Sequence, residues 1–283
     1  MRLKYAVPLL CRLFDVSVAG YYASRRRPLS KRARENARLE VEIQAAHNRT
    51  RKTCGAERLQ KDLEANGVKA GISRIRKLRR KLGIRCIQKR KFKATTDSNH
   101  SLPVADNLLG QKFSVSEPNK VWTSDITYVD TEEGWLYLAG HRDLFHNELV
   151  GYSMDARMTK GLVSASLLRA LAAKRPPEGL IHHSDRGSQY CSHEYSKLLE
   201  CNGITASMSR KGNCYDNAPM ESFWGTLKNE LIYHRKFKTR EEAKREITEY
   251  IEVFYNRQRR QKRLGYLSPV VYEKMYYERL LAA

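Results

Sequence analysis

The chain has 283 residues, 41% hydrophobic and 30% charged, a balance that excludes a disordered chain and suits about two packed domains. Its 53 Lys+Arg against 31 Asp+Glu give a net charge of +22, and residues 1–100 hold most of it, with 27 basic against 8 acidic side chains. The other 183 residues carry 26 against 23, so a strongly basic N-terminal third precedes a nearly neutral body. Such asymmetry points to a polyanion held mainly by that third, with a merely solubilising basic bundle as the plainer alternative.

In chain order, "MRLKYAVPLLCRLF" opens a helical extension over residues 1–37. Arg12 breaks its apolar run too early for a secretory signal, and no stretch approaches a membrane span, so a soluble cytoplasmic protein is expected. The six cysteines include no C-x-x-C pair, which argues for reduced thiols rather than a disulfide framework or a zinc finger. "RARENARLEVEIQAAHN" places Leu39, Ile43 and Ala46 on one helical stripe. "GAERLQKDLEANG" follows, with Leu59 and Leu63 apolar and Gly67 as its stop. In "GISRIRKLRRKLGI" the buried stripe is Ile75, Leu78 and Leu82, and Ser73 is the expected N-cap. Arg74, Arg76, Lys77, Arg79 and Arg80 cover the rest of that helix as candidate DNA contacts. Two short helices around a glycine-bearing turn, the second one basic, predict a helix-turn-helix-like DNA-binding region over 38–85. A bundle that touches phosphates without reading bases is the alternative. Residues 86–112 mix a basic cluster with Thr, Ser, Asn and Pro and read as a basic linker.

Residues 113–275 alternate strand-like and helix-like segments. "KVWTSDITYVD", "GWLYLAGHRDLF" and "NELVGYSM" predict three strands, "TKGLVSASLLRALAAK" an amphipathic helix, and "GLIHHSD" a short strand. Together they indicate an α/β domain with a mixed sheet. His182 and His183 are neighbours on a strand and point to opposite faces, so they do not share a metal. "APMESFWGTLKNELI" is helical, with Phe223, Leu227 and Leu231 four apart and Trp224 beside them. On it, Glu221 and Lys228 return to nearly the same face about 10 Å apart. "KTREEAKREITEYIEVFYN" is a long helix that turns Ile247, Ile251 and Phe254 to the core. "RQRRQKR" follows as a basic tail whose Arg259 and Arg260 are candidate phosphate contacts.

Three acids stand apart by position. Asp125 lies inside an apolar strand, Asp185 ends one, and Glu221 follows with 59 and 35 residues between successive members. A buried carboxylate needs a partner or a metal, although each acid alone also suits a cap, a turn or half of an ion pair. The surrounding words "WTSDITYV", "HHSDRGSQY" and "SMSRKGNCYDNAPMESFWGTLKNEL" resemble the catalytic core of retroviral-type integrases and DDE transposases. Within that group the chain resembles the OrfB-type transposases of the insertion-sequence family known as IS-three. "TCGAERLQKDLEANGVKAGISRIRKL" and "YNRQRRQKRLGYLSP" extend the resemblance to roughly residues 40–272. The chain departs from the family at Cys54, where an aromatic residue is usual, and at Gln261 and Lys262, where histidine and serine are common.

The resemblance implies an RNase H-like core: Asp125 on the first strand, Asp185 after the fourth, and Glu221 on a facing helix. Asp125 would bridge two Mg²⁺ ions, with Asp185 and Glu221 each holding one and Mn²⁺ as a substitute. Hard cations take oxygen ligands, and two of them about 4 Å apart can act on both the attacking and the leaving oxygen. The resemblance also implies that Lys228 contacts the transposon end, whereas a surface lysine paired with Glu230 or Glu241 is the plainer reading. Arg210, Lys211, Asn213 and Asn217 lie in a glycine-containing loop able to fold over a DNA end. The expected activity is cleavage at insertion-sequence ends and strand transfer by the 3′ hydroxyl, through a circular DNA intermediate. Its partners would be double-stranded DNA of the ends and the target, further copies of the chain, and a protein or fusion from an upstream reading frame. A nucleoid-associated place in the bacterial cytoplasm follows. A non-catalytic DNA-binding regulator and an RNase H-type nuclease without joining activity are the competing classes.

Overall fold

The computed structural model describes residues 5–87 and 103–282, so the centre of the expected linker, 88–102, lies outside the described residues. The N-terminal region is helical: α1 (Val7–Leu13), α2 (Val18–Arg26), α3 (Lys31–Arg49), α4 (Ala56–Ala65) and α5 (Ile72–Lys81). The Ser30 hydroxyl caps α3 by accepting from the Ala33 amide at 3.1 Å. The apolar stripes read from the sequence meet as expected, with Leu39, Ile43, Ala46, Leu59, Leu63, Ile75 and Leu78 buried in one cluster. The cap of α5 differs from expectation. Gly71 is its N-cap and makes no side-chain bond, so Ser73 falls inside the first turn.

The C-terminal body is built on five strands: β1 (Val121–Val129), β2 (Leu136–Asp143), β3 (Leu149–Asp155), β4 (Ile181–Ser184) and β5 (Thr205–Met208). Their order is β3-β2-β1-β4-β5. The first three strands form an antiparallel meander, and β4 and β5 add in parallel beside β1. The expected α/β class with a mixed sheet is the one observed. The parallel strands need crossovers, which α6 (Lys160–Lys174) and α7 (His193–Cys201) supply.

Helices cover both faces. On one face, α6 and α7 bury Leu162, Val163, Leu167, Tyr195 and Leu199 with Trp122 and Val150. Gly151 on β3 is required there, because a Cβ would come within 2.6 Å of the Ala170 backbone nitrogen on α6. On the other face lie α8 (Ala218–Glu230) and α9 (Arg240–Glu249), the latter continuing as a π-turn over Tyr250–Tyr255. Phe223, Trp224, Leu227, Ile247, Ile251 and Phe254 pack there against Val129, Leu136 and Leu138, as the periodicity of both segments predicts. The chain ends in α10 (Pro269–Leu281).

The helical region is bolted to this second face. Arg51 is ion-paired with Glu249, and its guanidinium lies 5.3 Å from the Phe254 ring centre. Arg58 reaches Glu230 at the end of α8 at 3.4 Å, and the Tyr266 hydroxyl donates to Glu57 at 3.3 Å.

Candidate active site

The pleat of β1 sorts its side chains. Trp122 and Ile126 face α6 and α7, while Asp125 and Val129 face α8. Asp125 accepts hydrogen bonds from the Trp224 indole at 3.1 Å and from the Ile126 amide at 2.8 Å, so its carboxylate is held in one orientation. Asp185 directly follows β4, and its Oδ1 accepts from the Gly187 amide at 2.9 Å. Glu221 stands exposed in the first turn of α8, one turn before Trp224. Three elements distant in sequence thereby bring three carboxyl groups to one end of the sheet. Burial, then the charge of Asp185 and also that of Glu221, push the Asp125 carboxyl well above the usual carboxylate range. Burial raises Glu221 as well.

Repulsion of this kind is what a bound cation would relieve, and an all-carboxylate donor set suits a hard divalent ion. Among the described residues, only His146, Glu148 and Glu273 bring three ligand atoms within 4.8 Å of one another. The Lys174 ammonium already bridges those two carboxylates, at 2.7 and 2.8 Å. Asp125, Asp185 and Glu221 are spread more widely than that cluster.

Lys228 is half-buried on the same side of α8 as Glu221, with its ammonium 5.0 Å from the centre of the Tyr128 ring. Burial lowers its pKa, and the charge of Asp125 opposes that shift. Neither expected acid partner takes it. Glu230 is held by Arg259, Arg58 and Tyr250, and Glu241 pairs with Lys244 at 3.5 Å. Lys228 instead lines a cavity of about 740 Å³ together with Tyr128, Trp135, Tyr233, Arg235 and Lys236.

Two residues expected to touch DNA are corrected. Asn217 is buried, and its amide donates to the Ser124 carbonyl at 3.0 Å, tying α8 to β1. Arg259 grips Glu230 with two hydrogen bonds of 2.8 Å, an ion pair that holds the segment after the π-turn against α8. Others are engaged in part. Arg74 donates to Asn36 at 2.8 Å, and half-buried Arg79 reaches the Cys54 carbonyl at 3.4 Å. Arg210 makes two guanidinium hydrogen bonds to buried Asp216, at 3.0 and 2.8 Å, yet its side chain remains 57% exposed. Arg76, Lys77, Arg80 and Lys211 are exposed, and Arg260 is half-buried.

Sequence reasoning missed Asp216 and Trp224 as parts of the site. Asp216 also accepts from Asn107 and Gln111, each at 2.8 Å. These bonds pin the loop before α8 and hold the Asp216 carboxyl well below the usual range, Arg210 contributing most. Trp224 fitted the apolar stripe, and no local spacing links it to an acid 99 residues away.

A family model described as an HTH-like domain matches residues 33–92, and two described as integrase core domain match 115–214 and 221–277. The chain is similar to the insertion element IS600 uncharacterized 31 kDa protein of Shigella sonnei, 55% identical over 95% of this chain and 99% of that protein. It is also similar to transposase InsF for insertion sequence IS3A of Escherichia coli (strain K12), 39% identical over 95% of this chain and 94% of the other. Among solved structures, a simian T-cell lymphotropic virus intasome matches with a TM-score of 0.46 and 17% identity, covering 82% of this chain and 74% of that one. The HTLV-2 integrase catalytic core in complex with magnesium (trimeric form) matches with a TM-score of 0.44 and 16% identity, covering 56% of this chain and 97% of that one. With an HTH-like domain ahead of an integrase core, and such identity along nearly its whole length, the chain belongs to the IS3 family of insertion-sequence transposases.

Proposed function

We propose that the protein cuts DNA at the ends of its insertion sequence and joins the freed 3′ hydroxyl to DNA, with Asp125, Asp185 and Glu221 as the catalytic acids. The observation that carries this reading is the gathering of three carboxyl groups around Asp125, whose ionised form is penalised by its neighbours. Two Mg²⁺ ions, or Mn²⁺ in their place, would suit that all-carboxylate donor set, and Asp125, Asp185 and Glu221 are the residues that would hold them. When bound, such ions supply the positive charge that activates an attacking oxygen and stabilises the leaving 3′ oxygen. The chain's own part is orientation. The Trp224 indole and the Gly187 amide fix the carboxylates of Asp125 and Asp185.

Lys228, two turns along α8 from Glu221 on the same face, offers a point charge to a DNA phosphate. Between them lies Gly225, where an added Cβ would meet nothing within 4 Å. A glycine in the middle of a helix weakens it, and no neighbour in the chain requires one here. Close passage of a DNA backbone over this bare edge of α8 accounts for it. Exposed Arg76, Lys77 and Arg80 on α5, with Lys211 before α8, would hold phosphates further along. Regions 1–37, 38–85, 86–112 and 113–275 act in this reading as extension, DNA-binding unit, linker and catalytic core.

Two ends must be held together, so the working form is a homo-oligomer on DNA, in the bacterial cytoplasm at the nucleoid, and a partner or fusion from an upstream frame would complete it. No helix among the described residues is long and apolar enough to cross a membrane. The test is incubation with a labelled insertion-sequence end and Mg²⁺. Joined products support the reading, cleavage without joining supports a nuclease, and binding without either supports a regulator.

A further inference from the structure

A cleft of about 880 Å³ separates the helical region from the catalytic body, bounded by α4 and α5, the outer edge of α8 and the segment after the π-turn. Ser222, Phe223 and Thr226 line it, so the cleft runs along the flank of α8, about 100° or more around the helix from Glu221. Its walls carry seven Arg and Lys side chains and one carboxylate, Glu57.

Arg142 on β2 is the most demanding of these cations. It is only 7% exposed, one guanidinium nitrogen donates to the Pro219 carbonyl, and its Nε has no partner. No carboxylate among the described residues pairs with it, and burial above all, then the charges of Arg263 and Arg259, disfavour its ionised form. A buried cation so placed calls for an anion from outside.

Aromatic rings share the same walls. Phe113 and Tyr266 both line the cleft and are partly exposed. Tyr266 has φ of +66°, a left-handed conformation that a bulky residue adopts only under strain. Arg260 donates to the Tyr266 carbonyl at 3.2 Å, and Glu57 receives its hydroxyl, so the strained ring is fixed at the cleft. A cationic groove interleaved with aromatic rings is the chemistry that binds single-stranded nucleic acid, phosphates to the cations and bases to the rings. The volume is that of an ordinary small-ligand pocket, suited to a strand rather than a duplex.

We propose that this cleft binds a single strand of DNA along the flank of α8, with phosphates facing Arg142, Arg260 and Lys262 and bases stacked on Tyr266 and Phe113. The role assigned to the strand rests on the transposase reading above, whereas the binding itself is measured separately. The full-length protein is titrated with a fluorescent single-stranded oligonucleotide of mixed sequence, comparing wild type with Tyr266→Asn and Lys262→Gln. Asparagine tolerates the left-handed backbone, so Tyr266→Asn still folds, with the lost Glu57 bond read from its melting temperature, while single-strand affinity weakens about tenfold. Lys262 is exposed, and Lys262→Gln lowers the slope of log K against log salt by about 0.7. If Tyr266→Asn does not fold, Lys262→Gln carries the test.

Unchanged affinity and slope in the folded variants overturn the cleft. So does stabilisation of the wild type by inorganic phosphate that the variants lose while DNA binding stays intact, since this marks a small-anion site. Joining of a labelled end by wild type in the same preparation separates the two readings. Variant-sensitive single-strand binding without any joining upholds the cleft and counts against joining by the chain alone, the regulator outcome above.

Discussion

Gly225 separates the needs of the fold from those of the reaction. It sits in the middle of α8 with open space where a Cβ would be, between Glu221 and Lys228. Gly225→Ala should therefore raise stability by about 0.5–1 kcal/mol, read from urea unfolding, because alanine is the better helix former. The same variant should join DNA ends more slowly, since a methyl group now stands where the backbone passes. Equal joining with raised stability would remove DNA from this edge of the helix. At this scale each acid alone also suited a cap, a turn or an ion pair, and it was the resemblance of the surrounding motifs that singled the three out. Trp224 was not legible, because a tryptophan in an apolar stripe looks the same whether or not its indole meets a carboxylate. Nor could arginine count distinguish Arg259, spent on Glu230, from exposed Arg76.

Among the elements, α8 does more than carry Glu221. Its last residue, Glu230, receives Arg259 from the segment after the π-turn, Arg58 from the helical region and the Tyr250 hydroxyl at 2.8 Å. Burial alone would raise the Glu230 pKa, but Arg259 outweighs it and holds the group ionised. Glu230→Ala leaves Arg259 buried without its partner and should cost about 3–5 kcal/mol, measured by urea unfolding. A loss below 1 kcal/mol would show that the pair is dispensable.

The His146 network ties the β2–β3 turn to α10 in a similar way. Burial opposes protonation of His146, but the Asp143 carboxylate 3.3 Å from its Nδ1 and the hydrogen bond with Glu148 outweigh it and raise the pKa from 6.5 to about 9. Glu273 and Lys174 complete the surroundings. A raised folded-state pKa gives stability that is complete below pH 6.5 and lost as pH rises through about 9. The melting temperature should fall across that window, by the equivalent of on the order of 1–3 kcal/mol, and His146→Gln should flatten the fall. An identical slope in the variant would assign the dependence to other groups. Sequence pattern read α3 to α6, α8, α9 and β1 to β4 but not α7, β5 or α10, and the His146 network, which joins residues 143 to 273, has no local signature at all.

Over the whole molecule, the charge asymmetry of the sequence becomes a division between a basic helical unit and a catalytic body, joined by Arg51, Arg58 and Tyr266. The class of fold and the existence of both parts followed from pattern and charge. Their mutual placement did not, because it depends on a few polar pairs between segments some 200 residues apart. The central claim is that three carboxylates drive DNA joining, and it is tested most directly with Glu221→Gln. That change removes an exposed ligand while keeping its size, so fold and DNA binding should persist. On a labelled end with Mg²⁺, wild type should cleave and join, and Glu221→Gln should bind with the same affinity and do neither. Equal cleavage and joining by the two proteins would contradict the account.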